Sequence, residues 1–145
     1  MTLRKLARRR DEGSASIEAA ILVPVLMLFI ALAFMAGRIA LAGQAVDSAA
    51  EDAARDASIV RNPNAAASAA ASAARQTLAR QGLQCQGDPS VSVSVSLGPT
   101  GTGGTVTATV VCDVALSDLA FPGAPGTHTI RSTFTSAIDR FVERR

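Results

Sequence analysis

A small number of side chains in this 145-residue sequence could take part in chemistry. Glu18 is a carboxylate at the edge of an apolar run, where a charge is costly unless it is paired or close to the membrane interface. A helix N-terminus near Glu18 would offset part of that cost, because free N–H groups favour a carboxylate. Cys85 and Cys112 are the two cysteines and His128 is the one histidine. Two thiols and one imidazole do not complete the four ligands of a structural zinc ion, so we expect no metal site.

No pattern typical of an enzyme accompanies these residues. The sequence contains no Ser/His/Asp constellation, and the glycines between Gly98 and Gly104 do not join a strand to a helix as a phosphate-binding loop does. We therefore expect a protein that is not an enzyme, with no catalytic residues and no cofactor.

The element that positions Glu18 is a long apolar segment. Ala19 to Ala36 are eighteen residues without a charged or polar side chain. A helix rises about 1.5 Å per residue, and a bilayer core of about 30 Å needs roughly 20 residues. The sequence therefore predicts a transmembrane helix over residues 14–38, preceded by a leader at 1–13. Pro24 removes one helix hydrogen bond and predicts a local kink, which membrane helices tolerate.

The charge distribution predicts the orientation of this helix. The leader carries five Lys and Arg residues against Asp11 and Glu12, a net charge of +3, whereas the rest of the chain has a net charge of −1. By the positive-inside rule the leader stays in the cytoplasm, and the chain after Arg38 is exported. The basic cluster has no interleaved aromatic residues, so we expect no nucleic-acid partner.

The order of these elements resembles a known signal. The basic leader, Gly13, the short segment Ser14-Ala15-Ser16, Glu18 and the apolar helix are similar to the cleavage and assembly signal of type IV prepilins. The run Ile17 to Pro24, the later Gly37-Arg38 and the alanine-rich segment Ala45 to Ala57 resemble TadE-like pseudopilins of tight-adherence (Tad/Flp) pilus systems. Ala19 departs from the family, whose members often carry an aromatic residue there.

This resemblance implies a membrane-anchored pseudopilin or minor pilin that supports assembly of a Tad-type pilus. Its partners would be other pilins, the assembly machinery and a prepilin peptidase that cuts after Gly13. Ser14 would then be the new N-terminal residue, and Glu18 would accept the Ser14 amine of a neighbouring subunit, which would set the register between subunits. The alternative for Glu18 is an acid at a helix start that reaches into the lipid headgroups.

Two other interpretations of the N-terminal segment stay open. The first is an uncleaved single-pass anchor that carries an exported binding domain. The second is a secreted protein, because Ala40-Leu41-Ala42 before Gly43 has the small-x-small pattern of a signal-peptidase site. Arg38 and the length of the apolar run weigh against the second, since secretory signals usually have an apolar region of about 7–15 residues.

The exported part is predicted to have an α+β fold, with an alanine-rich helical region at 39–82 and a β-rich module at 83–145. The first helix should continue to about Ser58 and present a stripe of alanines. A second helix is expected over Ala65 to Gln81, with Asn64 as its N-cap and Gly82 as the residue that ends it. Three antiparallel strands should follow. They are indicated by Val91 to Leu97, by the alternation from Thr105 to Leu116, and by Ile130, Phe134 and Ile138 on one face.

The cysteines fit this sheet. Cys112 alternates in phase with the apolar face of the second strand, and Cys85 follows the second helix. In an oxidising compartment a disulfide between them would stabilise the fold by about 3 kcal/mol on the chain-entropy model. Two buried free thiols are the alternative.

Overall fold

A computed structural model of the chain describes residues 3–60, 62–99, 103–119, 123 and 125–138, with side chains from residue 16 onward except at residue 63. The elements are α1 (Leu3–Ile59), α2 (Pro63–Arg80), β1 (Ser90–Leu97), β2 (Gly104–Ala115), α3 (Leu116–Leu119) and β3 (Thr127–Ile138). The three strands form one antiparallel sheet. The predicted α+β class is confirmed. The chain divides into two compact units, Met1–Gly37 and Arg38–Arg145.

The first unit is helical from Leu3 onward, so the basic leader is part of α1. Pro24 lies inside this helix. The apolar side chains of this helix are exposed, with exposed fractions of 62% for Leu28 and 70% for Phe29. One helical segment in the described chain is long and apolar enough to span a membrane. It has a mean hydropathy of 2.7, and none of its most apolar window is buried.

The core of the second unit is built mainly from alanine. Buried residues recur at helical spacing on α1 and α2, and they pack with the inner face of β2. On α1 they are Ala42, Ala45, Val46, Ala49, Ala50, Ala53, Ala54 and Ala57; on α2 they are Ala66, Ala70, Ala74 and Leu78. The alanines of both helices belong to one buried cluster, and alanine loses no rotamer entropy on burial. The alanine stripe predicted on the first helix therefore has a packing role.

The second helix begins earlier than predicted. Its N-cap is Asn62, not Asn64, and the Asn62 side-chain oxygen accepts a hydrogen bond from the Asn64 backbone N–H at 3.0 Å. Pro63 explains the difference, because proline is favoured at the first helical position, where its missing N–H costs nothing.

The end of α2 follows the prediction. Gly82 has a φ of +71°, and it directly follows the C-cap residue Gln81. The Leu83 N–H donates to the Leu78 carbonyl at 3.0 Å and the Gly82 N–H to the Ala79 carbonyl at 3.1 Å. These two bonds satisfy carbonyls that the helix end would otherwise leave free.

In the sheet, β2 lies between β1 and β3, with Ala108 opposite Val93 on one side and Phe134 on the other. The inner face of β2 is fully buried as predicted, from Val106 to Val114. Leu116, however, is not the last residue of this face. It starts α3, and its N–H donates to the Gly126 carbonyl at 3.0 Å, which turns the chain out of the strand. Residues 100–102, between β1 and β2, and residues 120–122 and 124, between α3 and β3, lie outside the described part of the chain.

The two edge strands are only partly covered. Val91 and Val93 of β1 are half-buried, but Val95 is 43% exposed and Leu97 is 59% exposed. On β3, Phe134 is 38% exposed between the half-buried Ser132 and Ser136. The half-buried strand predicted from the Ser/Val alternation is thus found in only the first half of β1.

The outer face of the sheet is rich in hydroxyl groups that pair across the strands. Thr107 bonds to Thr135 and Thr109 to Thr133, each at 2.9 Å between the hydroxyl oxygens. The Thr129 hydroxyl donates to the Asp113 carboxylate. Cross-strand pairs of this kind support the sheet and keep its outer face hydrophilic.

Candidate functional site

The predicted cleavage position lies inside a helix. Gly13 and Ser14 both have helical backbone in α1. A peptidase that requires an extended substrate backbone would have to unwind this turn first. Glycine in a helix interior is less stable than alanine by about 0.5–1 kcal/mol, so the turn that contains Gly13 is easier to open than its neighbours.

Glu18 is exposed on α1 between the similarly exposed Ile17 and Ile21. Among the residues whose side chains are described, none forms an ion pair or hydrogen bond with Glu18. Because α1 begins at Leu3, Glu18 lies several turns from the helix N-terminus, and the favourable effect of that terminus falls off within one turn. The stabilisation expected from a nearby helix start is therefore absent in the intact chain. A helix that began at Ser14 would bring its free N–H groups much closer to Glu18.

Pro24 lies within the exposed apolar segment of α1. Its ring nitrogen cannot donate to the carbonyl of Ala20, four residues earlier, so one hydrogen bond of the helix is missing at this point. The kink stays a prediction.

Arg38 is the first charged residue after the apolar run and belongs to the second unit. Its guanidinium donates to the backbone carbonyl of Asp118 in α3 at 3.0 Å. Ile39 packs on the core, and Ala42 is only 4% exposed. The second unit therefore includes the part of α1 that directly follows the apolar run. The candidate signal-peptidase site at Ala42 lies within this part and contributes to the core.

A polar contact between the two helices was not found from the sequence. The Thr77 hydroxyl is 4% exposed and donates to the Asp52 carboxylate at 2.5 Å. The Arg80 guanidinium reaches the same Asp52 oxygen at 3.3 Å and the Thr77 hydroxyl oxygen at 2.8 Å. The sequence contained one signal for it, since Thr77 occupies a buried position of the α2 stripe among alanines.

The two cysteines form the predicted disulfide, with their Cα atoms 5.3 Å apart and 27 residues apart in sequence. Next to the disulfide, the Gln86 N–H donates to the Asp113 carbonyl at 2.6 Å. The segment after α2 is thus held to β2 by a covalent bond and a hydrogen bond.

The described part of the chain contains no candidate metal site. No group of three or more His, Cys, Asp or Glu side chains there could hold an ion. His128 is exposed at the start of β3, where it lies opposite Val114 of β2.

Comparison with known proteins concerns the N-terminal segment. Residues 13–55 match the family model described as TadE-like protein. Neither the curated proteins nor the solved structures include a significant match to this chain. The matched range begins at Gly13, includes Glu18 and Pro24, and ends in the alanine-rich part of α1.

The match confirms the resemblance drawn from the sequence and points to a protein associated with Tad pili, in which the apolar helix fits a membrane anchor. Over residues 13–55 this chain is similar to the TadE-like protein family.

Proposed function

We propose that this chain is a membrane-anchored pseudopilin or minor pilin that supports assembly of a Tad-type pilus. The observation that carries the proposal is the TadE-like match, which begins at Gly13 and covers an apolar helix with no buried surface of its own. Such a helix must be covered by lipid or by the helices of other subunits, and a pilin uses both in turn. The proposed role is structural, without catalysis or a cofactor.

The proposed topology is a single pass of the bacterial cytoplasmic membrane. The leader, with its net charge of +3, remains in the cytoplasm, and the second unit is extracytoplasmic. The disulfide Cys85–Cys112 supports this orientation, because disulfides persist outside the reducing cytoplasm. The partners are the membrane, a prepilin peptidase, other pilins and the assembly machinery.

In this proposal a prepilin peptidase cuts between Gly13 and Ser14. The cut creates a helix N-terminus with a free amine at Ser14, close to Glu18 of the same or a neighbouring chain. Glu18 has no ion-pair partner among the described side chains, so it is available for that amine. In a low-dielectric surrounding the energy of a charge pair depends strongly on the distance between the charges. Such a pair therefore fixes the axial position of one subunit relative to the next.

The test is mass spectrometry of the N-terminus of the membrane-bound protein from its native cell. Lys5 is the single lysine of the chain, so an intact protein has two primary amines whereas a protein cut after Gly13 has one. We expect one amine label per chain, located on Ser14. An intact leader with two labels would contradict processing.

A second experiment tests the role of Glu18. Glu18→Ala should abolish recovery of the chain in sheared pili or with other pilins, while the membrane level of the protein is unchanged. Asp56→Ala is the matched control, because Asp56 is also an exposed acidic residue of α1 without an ion pair among the described side chains. Equal recovery of both variants would contradict a register role for Glu18.

One observation favours a second candidate, an uncleaved anchor with an exported binding domain. The Gly13–Ser14 bond is helical, not extended, so it is not presented ready for cleavage. The intact N-terminus in the experiment above is the outcome that would establish this candidate. A secreted form that starts at Gly43 is disfavoured, since it would remove Ile39 and Ala42 from the core and the Arg38 contact to Asp118.

A further inference from the structure

We propose that a second copy of this chain adds its β3 to the free edge of β1, so that the sheets of two copies continue side by side in head-to-tail order. This inference depends on the second unit alone and does not require cleavage at Gly13 or a role for Glu18. The argument rests on strand direction, exposed apolar side chains and charge.

Both edges of the sheet are open among the described residues, since β1 and β3 each have one neighbouring strand, β2. An open edge is a template for pairing unless charge or proline blocks it. The eight residues of β1 contain neither, and they alternate serine with valine or leucine. Such a strand pairs readily with another strand.

The exposed apolar side chains indicate which face continues. Val95 and Leu97 lie on the same face of the sheet as the half-buried Val91 and Val93, yet they are 43% and 59% exposed. On the opposite edge Phe134 faces the same side and is 38% exposed. If a second copy is placed alongside with its helices on the same face, Val95 and Leu97 come beside the β3 residues from Phe134 to Ile138.

Strand direction selects this arrangement over symmetric ones. β1 and β3 are both antiparallel to β2, so they run parallel to each other. Copies in which the α1 segments from Arg38 to Ile59 point the same way therefore pair β3 with β1 in parallel. Antiparallel pairing of β1 with β1 would reverse one copy. Parallel pairing of β1 with β1 would put the helices on opposite faces and set valines beside serines.

The helices above the two edges are complementary in charge. The part of α1 from Arg38 to Ile59 has a net charge of −2, whereas α2 contains Arg75 and Arg80 and no acidic residue, a net charge of +2. At the β3 edge, α1 and β3 line a hollow of ≈ 470 Å³ that contains Asp47, Glu51 and Phe134. Arg75 has only a distant surface partner, the 87% exposed Asp88 at 3.6 Å. In the proposed junction α2 of one copy faces the acidic α1 of the next.

A head-to-tail contact leaves one free edge at each end, so it can extend to further copies. It also makes a directional prediction. In any junction one copy uses β1 and the other uses β3. A substitution in the strand that a copy does not use there should leave that junction unchanged.

The experiment uses the full-length chain in membranes, with two differently tagged copies expressed together. One copy carries a photo-crosslinking amino acid in place of Leu97. The other carries Val95→Lys, which charges the β1 edge, or Phe134→Lys, which charges the β3 edge. Leu41→Lys is the matched control, because Leu41 is a 65% exposed apolar residue of α1 in a hollow beside Val114 and Leu119 that includes no residue of β1 or β3. Retention of the disulfide verifies that each variant folds.

We expect a crosslinked dimer of the two tagged copies, with the crosslink in β3 near Phe134 to Ile138. Phe134→Lys in the acceptor copy should abolish the dimer, whereas Val95→Lys and Leu41→Lys in the acceptor should leave it at the unsubstituted level. A crosslink to β1 of the second copy, a crosslink only to another protein, equal loss with both edge variants, or no crosslink would each overturn the proposal.

Discussion

Asp52 of α1 accepts a hydrogen bond of 2.5 Å from the buried hydroxyl of Thr77 in α2, across the packed pair of helices. All other buried residues in this core are apolar, so the Asp52 carboxylate, which Arg80 of α2 also reaches, makes the polar contact that the described residues show between the two helices. Alanine stripes alone leave several helix registers nearly equivalent, because every small side chain fits every other. The Asp52–Thr77 bond selects one of them.

We expect Asp52→Ala to lower the free energy of unfolding by about 1.5 kcal/mol, the lower end for hydrogen bonds to charged groups, because Asp52 is partly exposed. Denaturant unfolding in detergent micelles, followed by circular dichroism, measures the change. Asp56→Ala is the control, since Asp56 is an exposed aspartate on the same helix with no ion pair among the described side chains. Equal loss in both variants would mean that the contact to Thr77 contributes nothing.

Loss of the disulfide should cost more. For a loop of 27 residues between Cys85 and Cys112, the chain-entropy model gives about 3.5 kcal/mol. We expect the variant Cys85→Ser with Cys112→Ala to unfold at correspondingly lower denaturant concentration. Reduced wild-type protein is the comparison that isolates the bond, and it should unfold close to the double variant. A wild-type protein with the same midpoint before and after reduction would contradict the prediction.

Two glycines should respond to alanine with opposite signs. Gly82 has a φ of +71°, where an added Cβ is strained, so Gly82→Ala should destabilise by about 1 kcal/mol. Gly43 lies within α1 with nothing within 4 Å of an added Cβ, so Gly43→Ala should stabilise by up to about 1 kcal/mol. Thermal unfolding of the two variants side by side checks the sign. A change of the same sign in both would show that backbone conformation is not the cause.

A charge in the apolar run should weaken membrane insertion. Leu28→Arg places a guanidinium near the centre of the run at a cost of about 2.5–3.5 kcal/mol on insertion scales. Ile59→Arg is the control, because Ile59 is also a large exposed apolar residue of α1 but lies outside the run. Carbonate extraction of membranes should release part of the Leu28→Arg protein and none of the control. Equal release would contradict the anchor.

The sequence predicted most of the secondary structure because its signals are local and periodic. The apolar run, the alternation of Val106 to Val114 and the glycine after α2 each follow from backbone geometry that neighbouring residues determine. The disulfide followed from the same alternation, which placed Cys112 on the inner face. Family resemblance over residues 13–55 followed from the order of Gly13, Glu18 and the apolar helix.

What the sequence did not predict depends on contacts between distant residues. From the sequence, Asn64 is expected to be the N-cap of α2. The N-cap is Asn62, because Pro63, which lies between the two asparagines, is favoured at the first helical position. Leu116 fitted the period of β2, but the backbone bond to Gly126, ten residues later, ends the strand before it. The pairing of Asp52 with Thr77 needed the relative position of two helices, which no local pattern contains.

The hydroxyl pairs on the outer face of the sheet have a consequence for how the surface that they form holds water. Thr107 with Thr135 and Thr109 with Thr133 form a patch of this face that is hydrophilic without formal charge, unlike the neighbouring contact of Thr129 with the Asp113 carboxylate. Threonine hydroxyls do not ionise in water, and their hydration is not screened by dissolved ions as a charged surface would be. This patch of four threonines should therefore keep the same affinity for water in fresh water, in brine and across changes of acidity.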